Sequence, residues 1–453
     1  MRWFFSALFS LFFIATSSHA LEFESFSLDN GLDVVVVPDH RSPVVVHSVW
    51  YHAGSADEPR GKTGIAHMLE HMMFKGTDDI PVGEFSKIVA NHGGQDNAFT
   101  SRDYTAYYQK IAKSKLDLMM EMEADRMENL RFTDEIFQPE RDVILEERRW
   151  RIDSKPVYKF FEELTKEHMP NHPYGNPVIG WQEDIKAYTY QDALTWYNNY
   201  YAPNNAYMIL VGDITAEDAK PLVEKYYGGA KPSDVSRPEW TPEPARNEAH
   251  TYTKVDEQVT VPVFYRAYRA PSYFANVAGE PEEEVNPERS HKVYALALSA
   301  EILGGGSTSR LYKKLVKDDK LADSVSMSYD PVLRAETSID VFAYPQKGVN
   351  LSKVQQAIDE VLKDFIENGP TQEELDRIRT NMITSNIYSR DDMFKTAYSL
   401  GRWMAAGGNP ATFDNWLEEI KNVTVEDVRQ VAAEYLDLTH STTGKLAASD
   451  EQF

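Results

Sequence analysis

The chain has 453 residues, 71 acidic against 47 basic side chains, a formal net charge of −24 and no cysteine. The surplus of negative charge argues against nucleic acid or an anionic membrane surface as a partner. The missing cysteines exclude disulfides, cysteine nucleophiles and thiolate metal sites.

In chain order, residues 1–20 come first. Arg2 precedes an apolar run from Trp3 to about Ala15, and Thr16-Ser17-Ser18-His19-Ala20 then sets small residues where a signal peptidase cuts. The stretch reads as a secretory signal peptide and is short for a membrane anchor. A cysteine-free exported protein suits a bacterial periplasm. Leu32–Pro38 and Val44–Tyr51 read as adjacent strands, rich in β-branched residues. Gly64–Phe74 is a short apolar helix that stops at Lys75-Gly76, and a second helix is expected near Val82–Asn91. Gln95–Lys110 is strand-like around Phe99 and Tyr104–Tyr108. Long helices follow over Ser114–Asn129 and Thr133–Asp153, the latter acidic early and arginine-rich late, as the helix dipole favours. Ala206–Val211 is a further strand. Pro232, Pro238, Pro242 and Pro244 mark a polar joint. We place a linker at 236–250, between a first domain at 21–235 and a second at 251–453. In the second, Gln258–Ala267 and Ser324–Tyr329 are strand-like. His291–Leu303, Ser309–Lys317, Thr371–Tyr388 and Thr424–Tyr435 are helical. The acidic Pro281–Glu284 segment reads as a solvated loop. The mixture predicts an α+β protein of sheets packed by helices, with no segment after residue 20 apolar enough to cross a membrane.

His67, Glu70 and His71 interrupt the otherwise apolar Gly64–Phe74 stretch. On a helix, two histidines four apart share a face, and Glu70 lies three from His67. Ionisable groups on an apolar helix are costly unless something pairs with them. One Zn2+ ion held by both imidazoles, with the carboxylate beside it, satisfies all three. His-x-x-Glu-His is the inverted form of the His-Glu-x-x-His zinc peptidase motif. Catalytic zinc needs a third protein ligand and one open position. On the Thr133–Asp153 helix, Glu140 and Glu147 stand seven apart on one face, with Val143 and Ile144 between them. Glu147 is the candidate third ligand, and Glu140 a candidate outer carboxylate that orients a ligand histidine. Read without a metal, Glu147 is a buried salt bridge to an arginine and Glu140 an ordinary helix-start acid. Glu70 is the candidate general base.

Several stretches together carry a resemblance. They are His67-x-x-Glu70-His71; Glu140-Arg-x-x-Ile144-x-x-Glu147; Gly93-Gly94-x-x-Asn97-Ala98-Phe99-Thr100-Ser101-x-Asp103; His172-Pro173-Tyr174 with Gly180; Tyr201-x-Pro203-x-Asn205 with Val211-Gly212-Asp213; and Leu303-Gly304-Gly305-Gly306-x-x-Ser309-Arg310-Leu311. In these the mature chain resembles the pitrilysin, insulinase and mitochondrial processing peptidase family of inverted zincins, over essentially its whole length. The resemblance implies two structurally repeated domains, each with a mostly antiparallel or mixed sheet, that form half of a clamshell. It implies a zinc-dependent endopeptidase or oligopeptidase acting on peptides or short unfolded segments. One Zn2+ per chain is expected, because the second domain lacks the motif. It also implies that the substrate lies as an extended strand along Asn97, Ala98, Phe99 and Thr100.

One pair departs from the family pattern. Active members carry an arginine and, seven residues later, a tyrosine shortly after the glycine-rich segment. Here those positions are Val316 and Asp323. Valine donates no hydrogen bond, and an aspartate has the wrong sign to support an oxyanion. The expectation is therefore a heterodimer, in which a homologous zinc-free subunit supplies the arginine and tyrosine. A homodimer is the alternative assembly, and a catalytically silent structural or peptide-binding subunit the alternative function.

Overall fold

The computed structural model describes residues 21–275, 277 and 287–453. The signal-peptide reading of 1–20 and the Pro281–Glu284 loop lie outside the described residues. The first sheet contains β1 (Glu24–Ser27), β2 (Asp33–Pro38), β3 (Val44–Tyr51), β4 (Gln95–Thr100), β5 (Thr105–Ala112) and β6 (Ala206–Gly212). Its spatial order is β1-β2-β6-β3-β5-β4. The second contains β7 (His250–Val255), β8 (Val263–Ala270), β9 (Ala322–Tyr329), β10 (Thr337–Pro345) and β11 (Ser441–Ala447), in the order β7-β11-β8-β10-β9. Laid side by side, β2-β6-β3-β5-β4 and β7-β11-β8-β10-β9 run through the same senses: one parallel pairing, then three antiparallel ones. The duplication is thus exact in strand topology apart from the added β1, and the fold class is α+β with two repeated domains.

The expectation that β2 and β3 are neighbours is corrected, because β6 lies between them. The short Asp39–Pro43 link steps over one strand position, about 10 Å in all, and leaves a central slot. Every residue of β6 is buried, which suits that slot. Gln95–Lys110 resolves into the β4–β5 hairpin. The strand expected from Gln258 begins only at Val263, since Val259 N–H closes a turn on the Asp256 carbonyl. The helix expected at Ser309–Lys317 is a wide π-type turn over Tyr312–Asp318. Residues 228–249 contain no helix or strand, yet they are pinned down. Trp240 Nε1 donates to the Ala56 carbonyl at 2.8 Å, and the Glu243 carboxylate accepts the backbone N–H groups of Asn171 and His172 at 2.6 Å each. Among the described residues no helix is long and apolar enough to cross a membrane.

Five helices of the first half matter below: α1 (Ile65–Met72), α2 (Phe85–Asn91), α3 (Leu116–Asn129), α4 (Asp134–Arg148) and α5 (Pro156–His168). The sheet strands alternate between two cores. Val34 and Val36 of β2, Val45 and Val49 of β3, and Met208 and Leu210 of β6 face the first half's own helices, α1 included. Val35, Val37, Val46, Trp50, Tyr207 and Ile209 face the other way, onto Ala397, Leu400 and Ala405 of the second half's helix Met393–Ala405. Burial on both faces explains why β2 reads as a continuous valine run rather than an alternating one. The second sheet receives the reciprocal favour. Phe160 and Leu164 of α5 pack with Val263 and Leu446 on its outer face. In each half the donated helix is the third after the sheet's last hairpin.

Each crossing needs a glycine. A Cβ on Gly401 would stand 2.2 Å from Trp50 Cζ2, and one on Gly444 would stand 2.4 Å from Leu164 Cδ2. Alanine ordinarily stabilises a helix relative to glycine by about 1 kcal/mol. Gly401→Ala is expected to do the opposite, costing about 1–3 kcal/mol by overpacking against the buried Trp50. Gly229→Ala, with open space around its Cβ, is the control that should leave thermal unfolding unchanged.

Candidate metal centre and peptide cleft

The two helices that carry the candidate ligands are fixed to one loop. Gly64, at φ 88°, opens α1, and a Cβ there would stand 2.4 Å from the Ile179 carbonyl oxygen. The buried Glu58 carboxylate accepts from the backbone N–H groups of Gly64 at 2.8 Å and Ala66 at 3.0 Å. It thereby satisfies two otherwise orphan N–H groups of the helix start, while burial pushes its own carboxyl well up against those two bonds. On the other side, Arg148 at the end of α4 donates to the Gly180 carbonyl at 2.7 Å and pairs with Glu162 at 2.7 Å. The 179–180 loop is therefore gripped by the start of α1 and the end of α4, and this holds the two histidines and Glu147 at a set separation.

His67, His71 and Glu147 converge: each offers a ligand atom, and these atoms lie within 4.8 Å of one another. His67 Nε2 is 3.8 Å and His71 Nε2 is 3.5 Å from Glu147 Oε2. Ligand atoms about 2.0–2.2 Å from a tetrahedral zinc lie about 3.3–3.6 Å apart; the His71–Glu147 pair has that spacing, the His67–Glu147 pair is slightly wider, and two nitrogens with one oxygen are donor types that such an ion takes. The second nitrogen of His71, Nδ1, is 2.8 Å from Glu140 Oε1, and Lys75 Nζ is 2.5 Å from Glu140 Oε2. This aims the free His71 nitrogen at Glu147. His67 Nδ1 is buried without a partner.

The protonation equilibria follow from this packing. Burial, then the neighbouring His71, pushes His67 down to about 4. Burial also opposes a charge on His71, but Glu140 and Glu147 outweigh it and raise that imidazole to about 9. Burial raises Glu140 too, but the hydrogen bonds from His71 and Lys75 prevail and hold it low. Contact with His71 leads in keeping the Glu147 carboxyl low, with burial opposing and His67 and Arg151 assisting. Glu70 goes the other way: burial pushes its carboxyl up, against a hydrogen bond from Thr100.

These residues open on a cavity of about 920 Å³ lined by α1, by Asn97, Ala98, Phe99 and Thr100, and by residues between Glu147 and Ile179. All four expected substrate-contact residues sit on β4, the edge strand of the first sheet, beside the histidines. Thr100 Oγ1 donates to Glu70 Oε2 at 2.6 Å, so it also holds the candidate base. No residue of the second half lines this cavity among the described residues. Val316 packs against the second core, and Asp323 is exposed on β9, itself an edge strand.

Three partners escaped the sequence reading. Arg151 pairs with Glu147 at 2.7 Å, one helical turn on; the salt bridge to an arginine was the metal-free alternative for Glu147, and the i,i+4 spacing could have named which arginine. Lys75 was read only as a helix end. The Thr100–Glu70 bond depends on how β4 stacks beside α1, which no local pattern encodes.

Comparison with known proteins identifies the family of the fold. Residues 33–181 match the family model described as insulinase (peptidase family M16), and residues 187–382 match the one described as peptidase M16 inactive domain. The chain is 31% identical over 438 residues to the zinc protease PqqE of Helicobacter pylori, with 95% of each covered. A crystal structure of a protease from Helicobacter pylori superposes with a TM-score of 0.87 at 30% identity, over 94% of this chain and all of that one. The periplasmic protease PqqL of Escherichia coli shares the fold at a TM-score of 0.78 and 20% identity, where the match spans 95% of this chain but 48% of that longer one. With a two-domain fold repeated in topology and a His-x-x-Glu-His helix facing an acidic partner helix, this chain belongs to peptidase family M16, the insulinase family.

Proposed function

We propose that the protein is an exported, periplasmic zinc endopeptidase or oligopeptidase that cleaves peptides and short unfolded segments. The observation that carries this reading is the convergence of His67, His71 and Glu147 at the floor of a cleft bordered by a sheet edge. In this reading the three side chains hold one Zn2+, which when bound lowers the pKa of a water molecule and polarises a carbonyl. Glu70 accepts the proton of the attacking water and delivers it to the leaving amine. Its upward shift through burial suits that exchange. Thr100 keeps the Glu70 carboxylate oriented. The exposed edge of β4 holds the peptide as an added strand, by main-chain hydrogen bonds that do not read side chains.

We further propose that the working enzyme is a heterodimer. The one-sided lining of the cavity supports this, as do the exposed Asp323 and the packed Val316. A homologous zinc-free subunit would close over the cleft and bring the arginine and tyrosine. The same two positions favour one rival, a silent peptide-binding subunit that takes up zinc without turnover.

Three outcomes are expected. Glu70→Gln should retain one zinc per chain by metal analysis while kcat falls by roughly 10²- to 10⁴-fold, and full activity in this variant would remove Glu70 from its role. Glu147→Ala should lose zinc and activity together, whereas Glu140→Gln should weaken zinc affinity by about 10- to 100-fold in a chelator competition. The purified chain should cleave a quenched fluorescent peptide library only after the homologous subunit is added. Robust cleavage by the chain alone would favour the homodimer, and zinc binding without cleavage in either preparation would favour the silent subunit.

A further inference from the structure

A second cavity, of about 430 Å³, lies between the two halves. It is walled by residues of both exchanged helices, Leu164 and His168 of α5 and Tyr398 and Arg402 of Met393–Ala405, and by strands of the second sheet. It adjoins the cleft across one shared wall. Val178 borders both cavities, and Ser101 and Arg102, which line the second one, directly follow Thr100 at the end of β4. Arg102 stands in the Ser101–Tyr104 turn that closes the β4–β5 hairpin, two residues past Thr100, which holds Glu70.

Two aspartates and two arginines line this cavity, and they are engaged differently. Asp330 pairs with Arg402 at 2.5 Å. Asp340 accepts from Ser338 at 2.8 Å and from Tyr265. His168 is buried, with Nδ1 3.0 Å from Thr442 Oγ1 and Nε2 unpartnered. Burial, then the nearby Arg246, Arg269 and Arg102, drives its pKa down to about 3, so it brings no charge. Among the described residues nothing forms a hydrogen bond or ion pair with the Arg102 guanidinium, which only lies over the Tyr174 ring at 5.2 Å. Asp340 feels Arg102 through space, but among the described residues no acid bonds to it directly, so the cavity holds one guanidinium whose donors are unused.

We propose that this interdomain cavity is a specificity subsite, in which Arg102 binds a carboxylate of a peptide lying along β4. The proposal rests on the peptidase reading and adds to it a side-chain preference that main-chain pairing along β4 cannot supply. A guanidinium offers paired donors that match a carboxylate. In a site screened from water that contact discriminates strongly between glutamate and its amide. The chain's overall negative charge opposes acidic peptides at long range, so the preference is local to one position of the bound strand.

The test measures peptide binding by fluorescence anisotropy to the whole mature protein carrying Glu70→Gln. It uses C-terminally amidated peptides in which a single Glu or its Gln counterpart is moved along the sequence. One window of positions is expected to favour Glu over Gln by about 10- to 100-fold. Adding Arg102→Met should abolish that preference while affinity for the Gln series stays unchanged, which also shows that the variant is folded. A free-acid peptide that ends in the same window and gains equally would identify the chain terminus as the source of the carboxylate. The proposal is overturned if no position prefers Glu, if the preference survives Arg102→Met, or if both series weaken together. If no peptide of either series binds even with the homologous subunit added, the peptidase reading fails and the subsite falls with it.

Discussion

Trp50 of the first sheet lies against the Met393–Ala405 helix of the second half, and Gly444 of the second sheet lies against Phe160 and Leu164 of the first. Each half lends one helix to cover the outer face of the other's sheet. A sheet with two apolar faces needs two covers, and each half here keeps helices for only one of them. The exchange is therefore not an optional contact between finished domains. It completes both cores, and it explains why residues from either half of the sequence appear at the interdomain cavity. Arg334 reinforces the same junction, bonding the buried Asp57 at 2.9 Å and Asp103 at 3.0 Å across it.

That rigidity bears directly on the candidate metal centre. A tetrahedral site tolerates little error in ligand placement, and its three candidate ligands come from two separate helices. Both helices are tied to the 179–180 loop, through Gly64 and Arg148. Lys75 and Glu140 then fix the ring of His71. Binding geometry is set by backbone packing and ion pairs outside the ligand set, so the ligands need not search for one another. The cost is a cluster of imidazoles and carboxylates whose charges lean on each other, with His67 and His71 displaced in opposite directions.

Much of this was legible in residue order, for identifiable reasons. His67 and His71 share a face because the helical period places them there, and Glu140 and Glu147 do so for the same reason. The valine run of β2 signalled burial, though not which strand would lie beside it. The insertion of β6 between β2 and β3 is a long-range choice that local propensity does not record. Neither α5 nor the Met393–Ala405 helix could be assigned to the opposite sheet, because an apolar stripe states that a helix is covered and not by what. The bond from Thr100 to Glu70 was hidden likewise: a threonine on a strand reads as β-propensity until the neighbouring helix is in place. Arg102 gave no local sign of being unpaired, since that depends on every acid that folds near it.

The position of β11 has a consequence for how the chain comes into being. Residues 441–447 form an interior strand of the second sheet, flanked by β7 and β8. They follow α5 by some 280 residues of chain. Until they pair, the second sheet is split and the apolar side of α5 has no seat. Contacts of such long sequence separation are slow to form. Phe160 and Leu164 therefore stay uncovered until that distant strand pairs, which leaves an apolar surface open to non-native association while the chain folds.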